Sequence, residues 1–173
     1  GEEVATMNLQ LEQEEALTSL AEIAPARQAL ITKHPDTSSE HYTDDALAYP
    51  KGAWFLRTLE QRAGREVFDP FLRGWFDQHA FQSVTTEQFV SYLRKNLLEK
   101  HPKVLSEAEL DEWLHGPGIP ASASRAVSTR LAALNATRDA WLKGDVKTAQ
   151  LDTKNWNATE WMKFLNDIDE KAN

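Results

Sequence analysis

The hexapeptide LSEAEL, Leu105 to Leu110, decides the fold of this chain. Ser106 followed three residues later by Glu109 is a capping box, in which hydroxyl and carboxylate each satisfy a backbone N–H that a helix start leaves orphaned. Leu105 before the cap and Leu110 after it form the hydrophobic staple that goes with such a start. The device recurs twice. In VTTEQF (Val84 to Phe89) the box is Thr85 and Gln88, with Val84 and Phe89 as the staple. In WNATEW (Trp156 to Trp161) Asn157 and Glu160 play the same parts between two tryptophans. No stretch shows convincing period-two alternation, and only Ala24 to Ile31 is ambiguous. The expected fold class is all-α.

Outward from these starts the pattern stays helical. Leu9 to Ile23 is rich in Glu, Leu and Ala, with Leu17, Leu20 and Ala21 on one stripe, and Pro25 interrupts it. The polar stretch TKHPDTSSEHYTDDALA reads as a loop. A helix follows from about Lys51, with Leu56, Leu59 and Ala63 at i, i+3 and i+7 and Gly64 as its C′ residue. Val67, Phe68, Phe71, Leu72, Trp75 and Phe76 repeat at helical spacing, with Asp69 and Pro70 as N-cap and N1. Gly116, Pro117, Gly118 and Pro120 force the chain to turn and cross. Beyond them Val127, Leu131, Leu134 and Trp141 share a face, and Trp161, Leu165 and Ile168 close the chain. Two or three helices cannot bury their faces alone, so the tail reads as the opening of a second helical unit.

The 173 residues are 41% hydrophobic and 27% charged, with a formal net charge of −8. That balance argues against a nucleic-acid partner, since neutralising phosphates needs a clustered basic surface. No apolar run reaches the roughly 20 residues that span a bilayer. The absence of cysteine excludes a disulfide framework, a thiolate zinc site and a cysteine nucleophile. The opening GEEVATMNLQ has no initiator Met, basic n-region or apolar h-region. It reads as an internal start or a residue left by tag removal, and the chain as part of a longer protein.

The residues alone assemble no complete active site. None of His34, His41, His79, His101 and His115 begins an H-E-x-x-H, and no two stand at i, i+4. Glu14-Glu15, Asp44-Asp45 and the Glu107 to Glu112 run are carboxylate neighbours of the kind that solvated helix faces carry. There is no G-x-S-x-G and no phosphate-cradling glycine loop.

One question remains inside AYPKGAW (Ala48 to Trp54): why an amphipathic helix should open on a phenol and carry glycine in its first turn. Glycine there costs about 1 kcal/mol against alanine. Three motifs bear on it: Tyr49-x-Lys51-Gly52, Ser83-Val-Thr-Thr86 after an aromatic-rich helix, and Trp113-Leu-x-x-Pro-Gly-Ile-Pro120. In their order and spacing, the chain resembles the zinc aminopeptidases of the aminopeptidase N superfamily (gluzincins), nearest the branch of aminopeptidase B and leukotriene-A hydrolase. Residues before about 40 and after Pro120 fit only loosely.

The resemblance implies a thermolysin-like catalytic domain whose zinc, held by H-E-x-x-H and a Glu on the next helix, lies ahead of the region matching Tyr49. On that basis residues 1–115 are the C-terminal helical lobe of the catalytic domain, 116–121 a Gly/Pro linker, and 122–173 the start of an α-helical, solenoid-like domain. The longer protein would be a zinc metallo-aminopeptidase that removes N-terminal residues from peptides. This chain alone would hold no zinc and be inactive, and its cut face would favour self-association.

By the same resemblance Tyr49 is the catalytic residue. Its hydroxyl would face the scissile carbonyl at the zinc and stabilise the oxyanion, a donor of a kind worth roughly 3–4 kcal/mol of barrier. Gly52 would let the helix approach a neighbour closely. Lys51 reads as structural or solvated. Pro50 replaces a more usual Glu or Ser and presets φ at the helix start. Close relatives carry another Tyr and an acidic residue shortly before the catalytic Tyr. Ungapped alignment puts Asp44 and His41, respectively, at those positions, while a small gap brings in Tyr42 and Asp45, the candidate substrate-binding residues. A second function class is an inert scaffold of the same fold, with Trp54, Trp75, Trp113, Trp141, Trp156 and Trp161 either as interface anchors or as core.

Overall fold

The computed structural model describes residues 1–31 and 45–172. Seven α-helices are present among the described residues, and no strand: α1 (Glu2–Ala21), α2 (Asp45–Ala63), α3 (Arg65–His79), α4 (Thr86–Leu93), α5 (Glu107–His115), α6 (Thr129–Leu142) and α7 (Ala158–Ala172). Between α1 and α2 the described residues include a 3₁₀ turn, Pro25–Arg27.

The helix starts form as their chemistry dictates. Thr85 Oγ1 accepts from the Gln88 N–H at 3.3 Å while Gln88 Oε1 accepts from the Thr85 N–H at 2.8 Å. Ser106 and Glu109 make the same reciprocal pair at 3.2 and 3.0 Å. Asn157 Oδ1 accepts from the Glu160 N–H at 3.0 Å, and Glu160 Oε2 accepts from the Asn157 N–H at 2.8 Å. Trp156 and Trp161 close over that start with ring centroids 5.0 Å apart. Gly64 ends α2 at φ 76°, the left-handed conformation that glycine adopts without a Cβ penalty.

Both proline positions differ from the sequence reading. Helix α2 begins at Asp45, so Pro50 is its sixth residue rather than its first. Leu47 is buried, and the hydrophobic return from its turn extends the helix backward past the proline. Likewise α3 begins at Arg65 and Pro70 is internal. Asp69 accepts from Arg65 at 3.1 Å instead of capping, and the buried Phe68 belongs to the helix. In each case the missing N–H falls near the helix start, where few ladder bonds have yet formed.

The chain divides into two compact units, Gln13–Ser124 and Gly1–Glu12 with Arg125–Asn173. The division therefore falls a few residues beyond the 116–121 segment, and the first twelve residues group with the C-terminal helices. In the first unit Trp54, Phe55, Leu59, Phe68, Phe71, Leu93, Leu97, Leu110 and Trp113 form one core. From α1 it includes Ala16, and Leu20 is buried as well, whereas Leu17 and Ala21 are exposed, so the buried stripe is rotated from the one read off the sequence. Gly74 makes a close approach possible: a Cβ there would stand 2.6 Å from the Tyr92 hydroxyl, which donates to the Phe71 carbonyl at 3.1 Å. A single π turn, Arg94–Leu98, continues α4 and buries Leu97 and Leu98.

The second unit packs Met7, Leu131, Leu134 and Phe164 with Leu11, Trp141, Trp156 and Ile168 around them. Val127 precedes α6 and is exposed, and Leu165 is exposed where Phe164 is buried, so α7 also turns a different face inward than expected. Trp54 and Trp113 are buried in the first core, Trp75 is buried against Phe89 and Tyr92, and Trp141 and Trp156 pack on the second. Five of the six tryptophans are thus spent on packing, which removes most of the anchors a scaffold reading would need.

Candidate functional site

The Tyr-Pro-Lys-Gly turn sends its side chains in opposite directions. On an α-helix residues two apart point about 200° from each other, whereas residues at i, i+3 and i+7 share a face. Tyr49 is 77% exposed, while Lys51 is fully buried. Gly52 and Leu56 follow Tyr49 on its face and line an apolar groove of about 420 Å³. Phe55, Leu72, Trp75, Phe76 and Phe89 supply most of its remaining wall, together with Val84 and the Thr85 cap. A Cβ built on Gly52 would meet nothing within 4 Å. Among the described residues no helix approaches Gly52 closely, and the glycine lines the groove without narrowing it.

Lys51 is buried because it has work on the inner face of α2. Its Nζ donates to the Gln28 carbonyl and to the Gly116 carbonyl, each at 2.8 Å. Gln28 is itself buried and bridges to the crossing: its Oε1 accepts from the Gly118 N–H at 2.8 Å. Its Nε2 donates to the carbonyls of Leu20 at 2.8 Å and Ile23 at 2.6 Å. Further along the same face of α2, Trp54 Nε1 donates to the Ser124 carbonyl at 2.6 Å and Thr58 Oγ1 accepts from the Ser124 N–H at 3.2 Å. Arg62 donates to the Ser122 carbonyl at 2.6 Å and to Glu109 at 2.9 Å. Lys51, Trp54, Thr58 and Arg62 thus form one stripe that grips the backbone of the Gly116 to Ser124 crossing.

Burial lowers the Lys51 pKa from 10.5 to about 8, against a smaller raising effect of Glu112. Glu109 is held down at about 2, chiefly by the Ser106 N–H and further by Arg62, the Ser106 hydroxyl and Ser122. The lysine shift has a testable sign. Above pH 8 the folded chain releases the Lys51 proton, while the unfolded chain keeps it to about 10.5. Stability therefore rises through that window, by up to about 3 kcal/mol at roughly 1.4 kcal/mol per pKa unit. The stability of wild type relative to Lys51→Met is expected to increase between pH 7 and pH 10 in urea titrations. A difference independent of pH would show that the ammonium is not desolvated.

The other sequence candidates fare differently. Tyr42, with His41 and Asp44, lies outside the described residues, and Asp45 is placed only as the first residue of α2. Among the described residues no three His, Cys, Asp or Glu side chains gather so as to hold a metal ion. No helix among the described residues is long and apolar enough to cross a membrane.

Residues 2–113 match the peptidase family M1 domain. The chain is 30% identical over 136 residues to leucine aminopeptidase 2-2 of Meyerozyma guilliermondii, covering 73% of this chain and 21% of that protein. It is 36% identical over 76 residues to leukotriene A-4 hydrolase of Xenopus laevis, covering 43% of this chain and 12% of that one. The structure of native leukotriene A4 hydrolase from Saccharomyces cerevisiae superposes with a TM-score of 0.78 at 25% identity, over 95% of this chain and 28% of that chain. The chain belongs to peptidase family M1, in the branch of the leucine aminopeptidases 2 and leukotriene A4 hydrolases. It spans about a fifth of the Meyerozyma relative's length.

Proposed function

We propose that this chain is part of a zinc-dependent aminopeptidase and supplies its oxyanion-stabilising tyrosine, Tyr49. The observation that carries the reading is the way an M1-family turn presents its phenol. Tyr49 stands exposed on the helix face whose following turns, through Gly52 and Leu56, line an apolar groove, and the opposite face of that helix is anchored by a buried lysine. In the reaction the peptide carbonyl oxygen gains negative charge as the carbonyl carbon becomes tetrahedral. A neutral phenol O–H aimed at that oxygen donates a hydrogen bond that strengthens as the charge develops. It acts without being a competing anion and needs no reorganisation at the moment of reaction. Residues 1–115 then act as the helical lobe of the catalytic domain, and 122–173 begin a further helical domain. Zinc and the general base come from residues other than these.

The 173-residue chain by itself is accordingly expected to bind no zinc stoichiometrically and to leave aminoacyl anilides intact. Equilibrium dialysis with zinc, followed by an anilide assay, checks this. One tightly bound zinc per chain together with hydrolysis would overturn the division of labour proposed here.

A further inference from the structure

We propose that Lys51, braced by Gln28, is a positioning residue that fixes the Tyr49 turn of α2 against the Gly116 to Pro120 crossing. It gains this role only if Tyr49 is the oxyanion donor proposed above. Tyr49 has little packing of its own to hold it, being 77% exposed. The next residue, Pro50, cannot donate an intrahelical bond, so the backbone of this turn is less constrained than an ordinary one. Two residues on, Lys51 Nζ reaches the carbonyls of Gln28 and Gly116, 23 and 65 residues away in sequence, both at 2.8 Å. Gln28 closes the brace through Leu20, Ile23 and the Gly118 N–H. The first turns of α2, the end of α1 and the crossing are thereby held as one frame. Trp54, Thr58 and Arg62 secure the later turns to Ser122 and Ser124 independently. Removing Lys51 should therefore loosen only the Tyr49 end. That matters because misplacing a catalytic group by about 1 Å can cost about 10²-fold in rate.

Lys51→Met keeps the length of the side chain and removes its donors. In the zinc-loaded enzyme that carries these residues, kcat is expected to fall about 10-fold with KM within about two-fold, as for loss of an interaction made in the transition state. In a Tyr49→Phe background the same substitution should change kcat less than about two-fold, because the donor it positions is gone. In the 173-residue chain, amide exchange at residues 49 and 51–53 should accelerate at least about 10-fold while residues 56–63 keep their protection. An unchanged kcat, an equal loss in both backgrounds, or uniform acceleration along α2 would overturn the role. If Tyr49→Phe alone leaves kcat intact, the reading of Tyr49 fails, and the exchange pattern still decides whether Lys51 holds the turn. Should Lys51→Met fail to fold, Gln28→Met, which removes only the side-chain half of the brace, decides by the same two readouts.

Discussion

Tyr49→Phe, made in the zinc-loaded enzyme that carries this chain, is expected to lower kcat about 10²–10³-fold while KM changes little. The substitution removes one hydroxyl and keeps the ring. Because the phenol is largely exposed, its loss should leave the core and the melting temperature nearly untouched. Zinc content should also stay at the wild-type level, since Tyr49 is proposed as a hydrogen-bond donor and not a ligand. The lost interaction exists only as charge develops on the substrate oxygen, so kcat and kcat/KM should fall together. Steady-state kinetics on an aminoacyl anilide, with metal analysis of the same preparation, check this. Near-normal turnover would make Tyr49 a surface residue of a family M1 helix and nothing more.

Trp113→Ala is expected to have the largest effect on stability, a loss of about 3–5 kcal/mol. Trp113 is completely buried, with its ring centroid 5.4 Å from that of Phe55. Its Nε1 finds no hydrogen-bond partner among the described residues, so the contribution of this side chain is packing. Truncation to alanine removes the apolar contact and leaves a cavity between α2 and α5 that neither helix can close while the crossing stays gripped by Lys51, Trp54 and Arg62. Trp113→Phe, which also deletes the unpartnered N–H, should cost considerably less. Urea unfolding followed by far-ultraviolet circular dichroism measures both. A loss below about 1 kcal/mol for the alanine variant would contradict the core position of Trp113.

The legible parts of this fold were those governed by local chemistry. Thr85, Ser106 and Asn157 cap helices because a short polar side chain and a glutamine or glutamate three residues on can satisfy each other's backbone whatever surrounds them. Gly64 was legible for the same reason, since a left-handed turn favours glycine. Pro50 and Pro70 were not. Proline signals a helix start only on average, and burial of Leu47 and Phe68 extended each helix a turn further back. The buried stripes of α1 and α7 are not fixed by sequence, because α1 carries leucines and alanines in several registers and α7 sets Trp161, Met162, Phe164, Leu165 and Ile168 around much of its circumference, and only the neighbouring helices select one face.

Of the site, Tyr49 was visible only through the family resemblance; nothing in its spacing separates it from a packing residue at a helix mouth. For Lys51 the sequence leaves a structural and a solvated reading open, because lysine is seldom buried and its two acceptors are backbone carbonyls far along the chain. The one local hint was the run of Lys51, Thr58 and Arg62, polar groups recurring with Trp54 on what proves to be the inner face of α2. The role of Gly52 is not legible for a related reason. A glycine that permits close packing and one that keeps a groove open look alike until the neighbouring atoms are known.

The most direct test of Tyr49 as an oxyanion donor is the affinity of the zinc-loaded enzyme for a tetrahedral aminophosphonate analogue, compared between wild type and Tyr49→Phe. A group that binds the transition state better than the ground state must bind its stable mimic better too. The analogue is expected to weaken by about the factor lost in kcat/KM, on the order of 10²-fold, while affinity for the amino-acid product stays within about two-fold. Unchanged affinity for the analogue, or an equal loss for analogue and product, would contradict it.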